Sequence, residues 1–334
     1  DSFTYTVSDG NGGTATATVS LTVTPRPNIA PTVVGETITT NVNVSCTGSV
    51  ASNDSDADGD TLTYALTTGP SHGSLTLNAN GSYTYTPTAG YSGADSFTYT
   101  VNDGFGGTAT ATATIVVNGT PVAVGSIATQ TATDQTASSL STAGYFSDPD
   151  GGAMTYSATG LPPGLSINAA TGAITGTVDR SASTGGPHGD GSYVVSITVR
   201  DSGGLTAQQT FAWNVSNPAP VAVNDTFAAT GSAPLSGSVA ANDYDPDGDA
   251  MTFSLVSQPR NGTIVFRADG TFTYTARDLF AGVDTFTYQI RDSDGGICTA
   301  TATIQVAAPV IAPLSVHCIT TFGDLSALRA LLTR

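Results

Sequence analysis

One stretch of this chain occurs three times. Asp1 opens DSFTYTVSDGNGGTATATVSLTV, Asp95 opens DSFTYTVNDGFGGTATATATIVV, and Asp284 opens DTFTYQIRDSDGGICTATATIQV. The first two starts lie 94 residues apart and the last two 189 apart, about two periods. A second marker keeps the same interval: NDSDADGD begins at Asn53 and NDYDPDGD at Asn242. SDPDGG from Ser147 and VRDSGG from Val199 fill the skipped period in diverged form. Self-similarity at a fixed period makes one structural unit recur along the chain, so the fold has to be modular. The expected division is the C-terminal hairpin of an incomplete repeat (1–24), three whole repeats (28–118, 119–217 and 218–308, here repeats two, three and four), and a tail (309–334). A chain that opens on the last hairpin of a repeat, without Met, reads as a piece cut from a longer one.

Each unit reads as strands. Phe97, Tyr99 and Val101 alternate with Ser96, Thr98 and Thr100, and after a Gly-rich turn Ala109, Ala111, Ala113, Ile115 and Val117 alternate with Thr and Val. A period of two with one apolar face means a half-buried strand. Asn80-Gly81 and Asp269-Gly270, flanked by such runs, are hairpin turns. About ninety residues of short strands at regular spacing predict an all-β fold, a tandem array of immunoglobulin- or cadherin-like antiparallel β-sandwiches. Short Pro-containing junctions (Pro25 to Pro31, Pro121, Pro218 to Pro220) predict stiff connections and a rod.

Charge narrows the function. Only 10% of residues are charged; the nine basic residues are all Arg, and 25 of the 26 acidic residues are Asp, Glu36 being the exception. Asp favours turns and hard-cation loops rather than helix interiors, so the acidity belongs to loops. A net charge of −17 without a basic patch excludes nucleic acid and disfavours anionic membrane. No apolar run reaches the length of a membrane helix, so no membrane insertion is expected. Three cysteines at unrelated positions give no disulfide framework; Cys298–Cys318 is the one plausible link.

The acidic loops are the candidate sites. Asp54, Asp56, Asp58 and Asp60, with Gly59 for the sharp turn, set carboxylates at every second residue; Asp243, Asp245, Asp247 and Asp249, with Gly248, repeat the pattern. Clustered carboxylates in a tight loop offer several of the six to eight oxygens that Ca²⁺ takes. The start resembles an EF-hand loop, but Ala65 and Ser254 stand where the twelfth-position Glu belongs, and a strand follows. The other reading is that Asp and Gly simply build the turn through side-chain-to-backbone bonds. Repeat three keeps Asp148 and Asp150 but has Phe146 in place of the first Asp, so it is expected to bind most weakly.

At these residues a resemblance enters. Repeats two and four, through NDSDADGDTLTYAL (53–66), NGSYTYTPTAGYSGADSFTYTVNDG (80–104) and their counterparts, are similar to the bacterial Ig-like, cadherin-like tandem repeats of large surface adhesins. Repeat three, through GLPPGLSINAATGAITGTV (160–178) and SYVVSITVRDSGG (192–204), resembles the putative-Ig, dystroglycan-type cadherin-like family. The resemblance implies an extracellular, cell-surface setting and calcium at module junctions. Glu36 matches a cadherin A-strand glutamate. Asp56/Asp58, Asp148/Asp150 and Asp245/Asp247 match the DxD pair, and Asp179-Arg180-Ser181 matches a DRE triplet with Ser for its glutamate. The acidic linker of cadherins is absent.

Catalytic motifs do not assemble. Gly69-Pro70-Ser71-His72-Gly73 matches G-x-S-x-G, but a strand follows where a nucleophile elbow needs a helix, and its counterpart at 258–262 has no Ser. His72, His188 and His317 form no ligand or triad pattern. Cys46, Cys298 and Trp213 read as core residues, and Asp324 as the N-cap of a short helix over 325–332. The chain is therefore expected to be a non-catalytic structural or adhesive array, a calcium-stiffened stalk. A self-assembling fibre subunit and a glycan-binding or enzyme-accessory module are the alternatives. Its expected partners are other copies of the chain, neighbouring repeats of its parent protein, or a cell-surface protein or glycan.

Overall fold

The computed structural model describes residues 1–308; the expected helix after Asp324, the Cys298–Cys318 link and His317 lie outside the described residues. Strands β1 (Ser2–Ser8) and β2 (Thr14–Ser20) pair as a free-standing hairpin. Repeat two follows with β3 (Thr37–Asn41), β4 (Cys46–Ser49), β5 (Thr63–Thr68), β6 (Gly73–Leu77), β7 (Ser82–Pro87), β8 (Gly93–Asn102) and β9 (Thr108–Asn118). They form a four-stranded sheet in the order β3-β9-β8-β5 facing a three-stranded sheet β4-β7-β6. Repeats three and four reproduce this four-on-three sandwich, repeat three adding a two-residue pair between Val122–Ala123 and Phe146–Ser147. Among the described residues the only helical pieces are two three-residue turns, Ala143–Tyr145 and Ala182–Thr184.

The alternation read from sequence becomes the core. Phe97, Tyr99 and Val101 on β8 are fully buried and face Ala113, Ile115 and Val117 of β9. The equivalents 189 residues on, Phe286, Tyr288 and Ile290 with Ala302, Ile304 and Val306, do the same in repeat four. Fully burying each such large apolar side chain is worth roughly 1.5–3 kcal/mol, so one face of the hairpin holds much of a module together. Each repeat keeps its own core, Trp213 being buried in that of repeat three. Asn80-Gly81 makes the expected turn: Gly81 has φ +82, and a Cβ there would lie 2.8 Å from that of Ala51.

One pairing differs from an all-antiparallel sandwich. The first strand of each whole repeat runs parallel to the last: β3 to β9, Gln130–Thr133 to 213–216, and Asp225–Thr230 to 302–307. The reason is the tandem arrangement. A chain that enters a module at one end and leaves at the other must point its first and last strands the same way, and here they are neighbours.

The cysteines differ too. Cys46 pairs opposite Tyr85 as its counterpart Leu235 pairs opposite Tyr274, but Cys46 and Cys298 are half-buried rather than enclosed, and among the described residues neither is in a disulfide.

Candidate metal centre

The aspartates of the acidic loops divide by what their oxygens accept. Asp54 and Asp243 lash the entering segment to the loop: Asp54 Oδ1 accepts from Val34 N at 2.9 Å and Asp243 Oδ1 from Val223 N at 2.7 Å. Glu36 stands with Asp54, its carboxylate accepting the Tyr99 hydroxyl at 3.0 Å. In repeat four the equivalent position is Asp225, and Tyr288 donates to both Asp225 (2.9 Å) and Asp243 (3.0 Å). Burial raises the carboxyl of Glu36, its neighbour Asp54 adding to the rise against the Tyr99 hydroxyl bond. Tyrosine hydroxyls at the sheet thus claim Glu36, Asp225 and Asp243, whereas Asp54 Oδ2 is left buried without a partner.

The later aspartates form the cluster. Asp56 Oδ1 receives the N–H groups of Asp58 (2.8 Å) and Asp60 (3.3 Å), which curls the turn and turns the remaining oxygens inward. Ligand atoms of Asp56, Asp58 and Asp60 all lie within 4.8 Å of one another. In repeat four, Asp245 Oδ1 gathers the N–H groups of Asp247, Gly248 and Asp249 at 3.1–3.2 Å. Both carboxylate oxygens of Asp247 and of Asp249, with Asp245 Oδ2, are buried without a hydrogen-bond partner. Repeat three offers less: Asp148 Oδ1 accepts Asp150 N and Asp150 Oδ2 accepts Gly119 N, while Phe146 lies in the core. Asp148 Oδ2 and Asp150 Oδ1 are left buried without partners.

Other residues reach these loops that sequence reading did not single out. In the turn between the last two strands of each whole repeat, here the F–G turn, Asp103, Asp201 and Asp292 each accept from a linker asparagine: Asn28 (2.8 Å), Asn118 (3.1 Å) and Asn217 (2.9 Å). Their signal was available, since every junction carries an Asn and every last hairpin an Asp. At the junction of repeats three and four, Asn217 Oδ1 and Asp294 Oδ2 are also buried and unpartnered. Asp134 of repeat three, 2% exposed, adds a carboxylate there whose oxygens accept from Ser183 N. Burial pushes the Asp247 carboxyl up to about 7, followed by Asp245, Asp249 and Asp134 as neighbouring negative charges. Asp249 is raised by burial and then by Asp294. No arginine lies within either loop, but two reach them from outside. Arg26, from the linker, ion-pairs with Asp58 and donates to the Ala57 carbonyl at 3.3 Å; Arg180 Nε lies 4.0 Å from Asp249.

The G-x-S-x-G stretch has a structural role. The N–H groups of Ser71 and His72, with the Tyr85 hydroxyl, close on the buried Asp95 carboxylate at 2.9–3.0 Å. Arg260, Asn261 and Tyr274 close on Asp284 in the same way.

Residues 1–22 and 28–116 match the Bacterial Ig domain family, residues 120–216 the Putative Ig domain family, and residues 217–308 the Bacterial cadherin-like domain family. The chain is a tandem array of bacterial Ig-like and cadherin-like repeats. Repeats of these families are typical of extracellular proteins and typically non-catalytic. No curated protein matches the array. Among solved structures it is similar to an endo-fucoidan hydrolase from glycoside hydrolase family 107 (21% identity, TM-score 0.31, 85% of this chain and 45% of that one). It is also similar to an I-band fragment from titin (12%, 0.41, 84% and 97%) and to a mouse cadherin-23 fragment (16%, 0.33, 84% and 99%). The array spans less than half the length of the first of these. Among the described residues no helix is long and apolar enough to cross a membrane.

Proposed function

We propose that this array is a stalk segment of a bacterial extracellular protein, stiffened by calcium held where one repeat meets the next. The observation that carries the reading is the set of buried, unpartnered oxygens at the junction of repeats three and four: Asp245 Oδ2, both oxygens of Asp247 and of Asp249, Asp294 Oδ2 and Asn217 Oδ1. Burying carboxylates side by side without a donor or cation is costly. Ca²⁺ takes six to eight oxygens of this hard, flexible kind. Bound to the folded junction alone, it adds stability by mass action, and in an extracellular setting millimolar calcium saturates even a modest site. The test is thermal melting of the full chain in calcium and in chelator, on the wild type and on Asp247→Asn/Asp249→Asn. The expected result is a calcium-dependent rise in Tm in the wild type that is largely lost in the double variant; identical wild-type melts in both buffers would reduce the loops to plain turns.

A further inference from the structure

Repeats two and four carry nearly the same acidic loop, NDSDADGD and NDYDPDGD, but different groups meet it. In repeat four Asp134 and Asp294 add negative charge, and the nearest cation, Arg180, stays at 4.0 Å from a single carboxylate. In repeat two the F–G position equivalent to Asp294 is Phe105, and a guanidinium sits in the loop itself. We propose that Arg26 is a built-in cation for the acidic loop of repeat two, so that the two near-identical loops differ in their demand for calcium. This rests on the reading of the loops as calcium sites.

Three observations carry it. Arg26 meets Asp58 Oδ1, and the Asp58 side chain is only 9% exposed while that of Arg26 is 64% exposed. A solvent-reaching arm thus delivers its charged end to a buried carboxylate. Its Nη2 also donates to the Ala57 carbonyl, an oxygen within the loop, and Ile29 N binds the other Asp58 oxygen at 2.7 Å. Asp58 therefore has an N–H donor on one oxygen and the guanidinium against the other, whereas both oxygens of its counterpart Asp247 are buried without a donor or a cation in contact. Second, the arginine arrives on extra chain. Asn118 follows Val117 directly, but Asn28 follows the equivalent Val23 only after Thr24-Pro25-Arg26-Pro27. The flanking prolines fix φ on either side of Arg26 and limit where it can point. Third, among the described residues, the triad that closes to within 4.8 Å is the one that holds a guanidinium. An opposite charge at contact distance offsets the mutual repulsion of those carboxylates.

A tethered cation and a diffusing one compete for the same oxygens, so removing the first must tighten the second. The experiment is calcium titration calorimetry on the full chain carrying Asp247→Asn/Asp249→Asn, which silences the loop of repeat four. In that background Arg26→Ala is expected to bind calcium about tenfold more tightly than the protein with Arg26 intact, a single charge lost at contact distance. Arg26→Lys keeps the charge and is expected to stay close to the parent. In chelator, Arg26→Ala lowers the melting temperature of repeat two because Asp58 loses its partner, and calcium restores it. Unchanged or weaker calcium affinity in Arg26→Ala, while the unmutated chain still takes up calcium through repeat four, overturns the proposal and leaves the calcium reading standing. No calcium uptake by any variant overturns both.

Discussion

Aspartate does two kinds of work in these repeats, and its hydrogen bonds separate them. Asp95 accepts from Ser71, His72 and Ser96 N–H groups and from the Tyr85 hydroxyl, all within 3.0 Å. Burial opposes its ionisation, but these donors outweigh burial and hold its carboxyl below the usual range. Removing it strands several buried donors, so Asp95→Ala should cost about 3 kcal/mol in urea unfolding, with calcium present or absent; an effect below about 0.5 kcal/mol would contradict this role. Asp247 is the opposite case. Its folded carboxyl is raised to about 7 against about 3.9 in an unfolded chain. The folded state therefore holds its proton more tightly. The stability this contributes is whole below about pH 4 and is lost as pH climbs through 7. In chelator the Tm of repeat four should fall over that window, and calcium should remove the fall; a flat chelator profile would count against it. Residue type alone, Asp in a Gly-rich loop, was legible in the sequence. Which Asp would meet four donors and which none was not, because Ser71, His72 and Tyr85 reach Asp95 through tertiary packing.

At the level of elements the sequence carried more. Alternation placed Phe97, Tyr99 and Val101 inward because a strand's period is two whatever surrounds it, and the Asn80-Gly81 turn followed from the backbone conformation that glycine alone adopts cheaply. The parallel edge strand was not visible: Thr37–Asn41 has the composition of any strand, and its direction is set by where the chain must leave the module. Nor was the setting of Glu36 visible, because it depends on which residues the fold brings to it. Its strand neighbours put it beside Tyr99 and Asp54, not with Asp56, Asp58 and Asp60. The hairpin of β1 and β2 shows what an element does without its module. It repeats the first seven residues of the motif at Asp95, yet Phe3 and Val7 are more than half exposed. A lone two-stranded hairpin is marginal in water. Amides of 2–8 and 14–20 should therefore exchange within the dead time of a dilute, monomeric sample, while those of β8 and β9 stay protected for hours. Strong protection of the hairpin under those conditions would mean that something covers it.

Across the whole molecule the recurrent contact is a linker asparagine donating to the F–G aspartate of the repeat that follows, and it aligns each junction before any cation is considered. The junctions then diverge. Asn118 is shared with Asn41 of repeat two and Asp201 of repeat three, and Asn41 also donates to the Gly203 carbonyl, so the second and third repeats are joined by asparagine hydrogen bonds. Between the third and fourth, buried carboxylates face one another across the boundary: Asp134 on one side, Asp247 and Asp294 on the other. Arg180 of repeat three reaches only Asp249, at 4.0 Å, so without calcium the contact of Asp134 with Asp247 and Asp294 is repulsive, and the two repeats should unfold as separate calorimetric transitions. Calcium bound there would relieve the repulsion between Asp134 of repeat three and the acids of repeat four, and binding free energy would then couple the two. The two transitions should merge, and small-angle scattering should show a narrower spread of chain extensions. Asp134→Ala isolates the coupling, because it leaves the loop of repeat four untouched. That variant should still gain stability in repeat four from calcium but keep two separate transitions. If Asp134→Ala merges its transitions as fully as the wild type, calcium acts within repeat four alone and the stiffness of the array has another source.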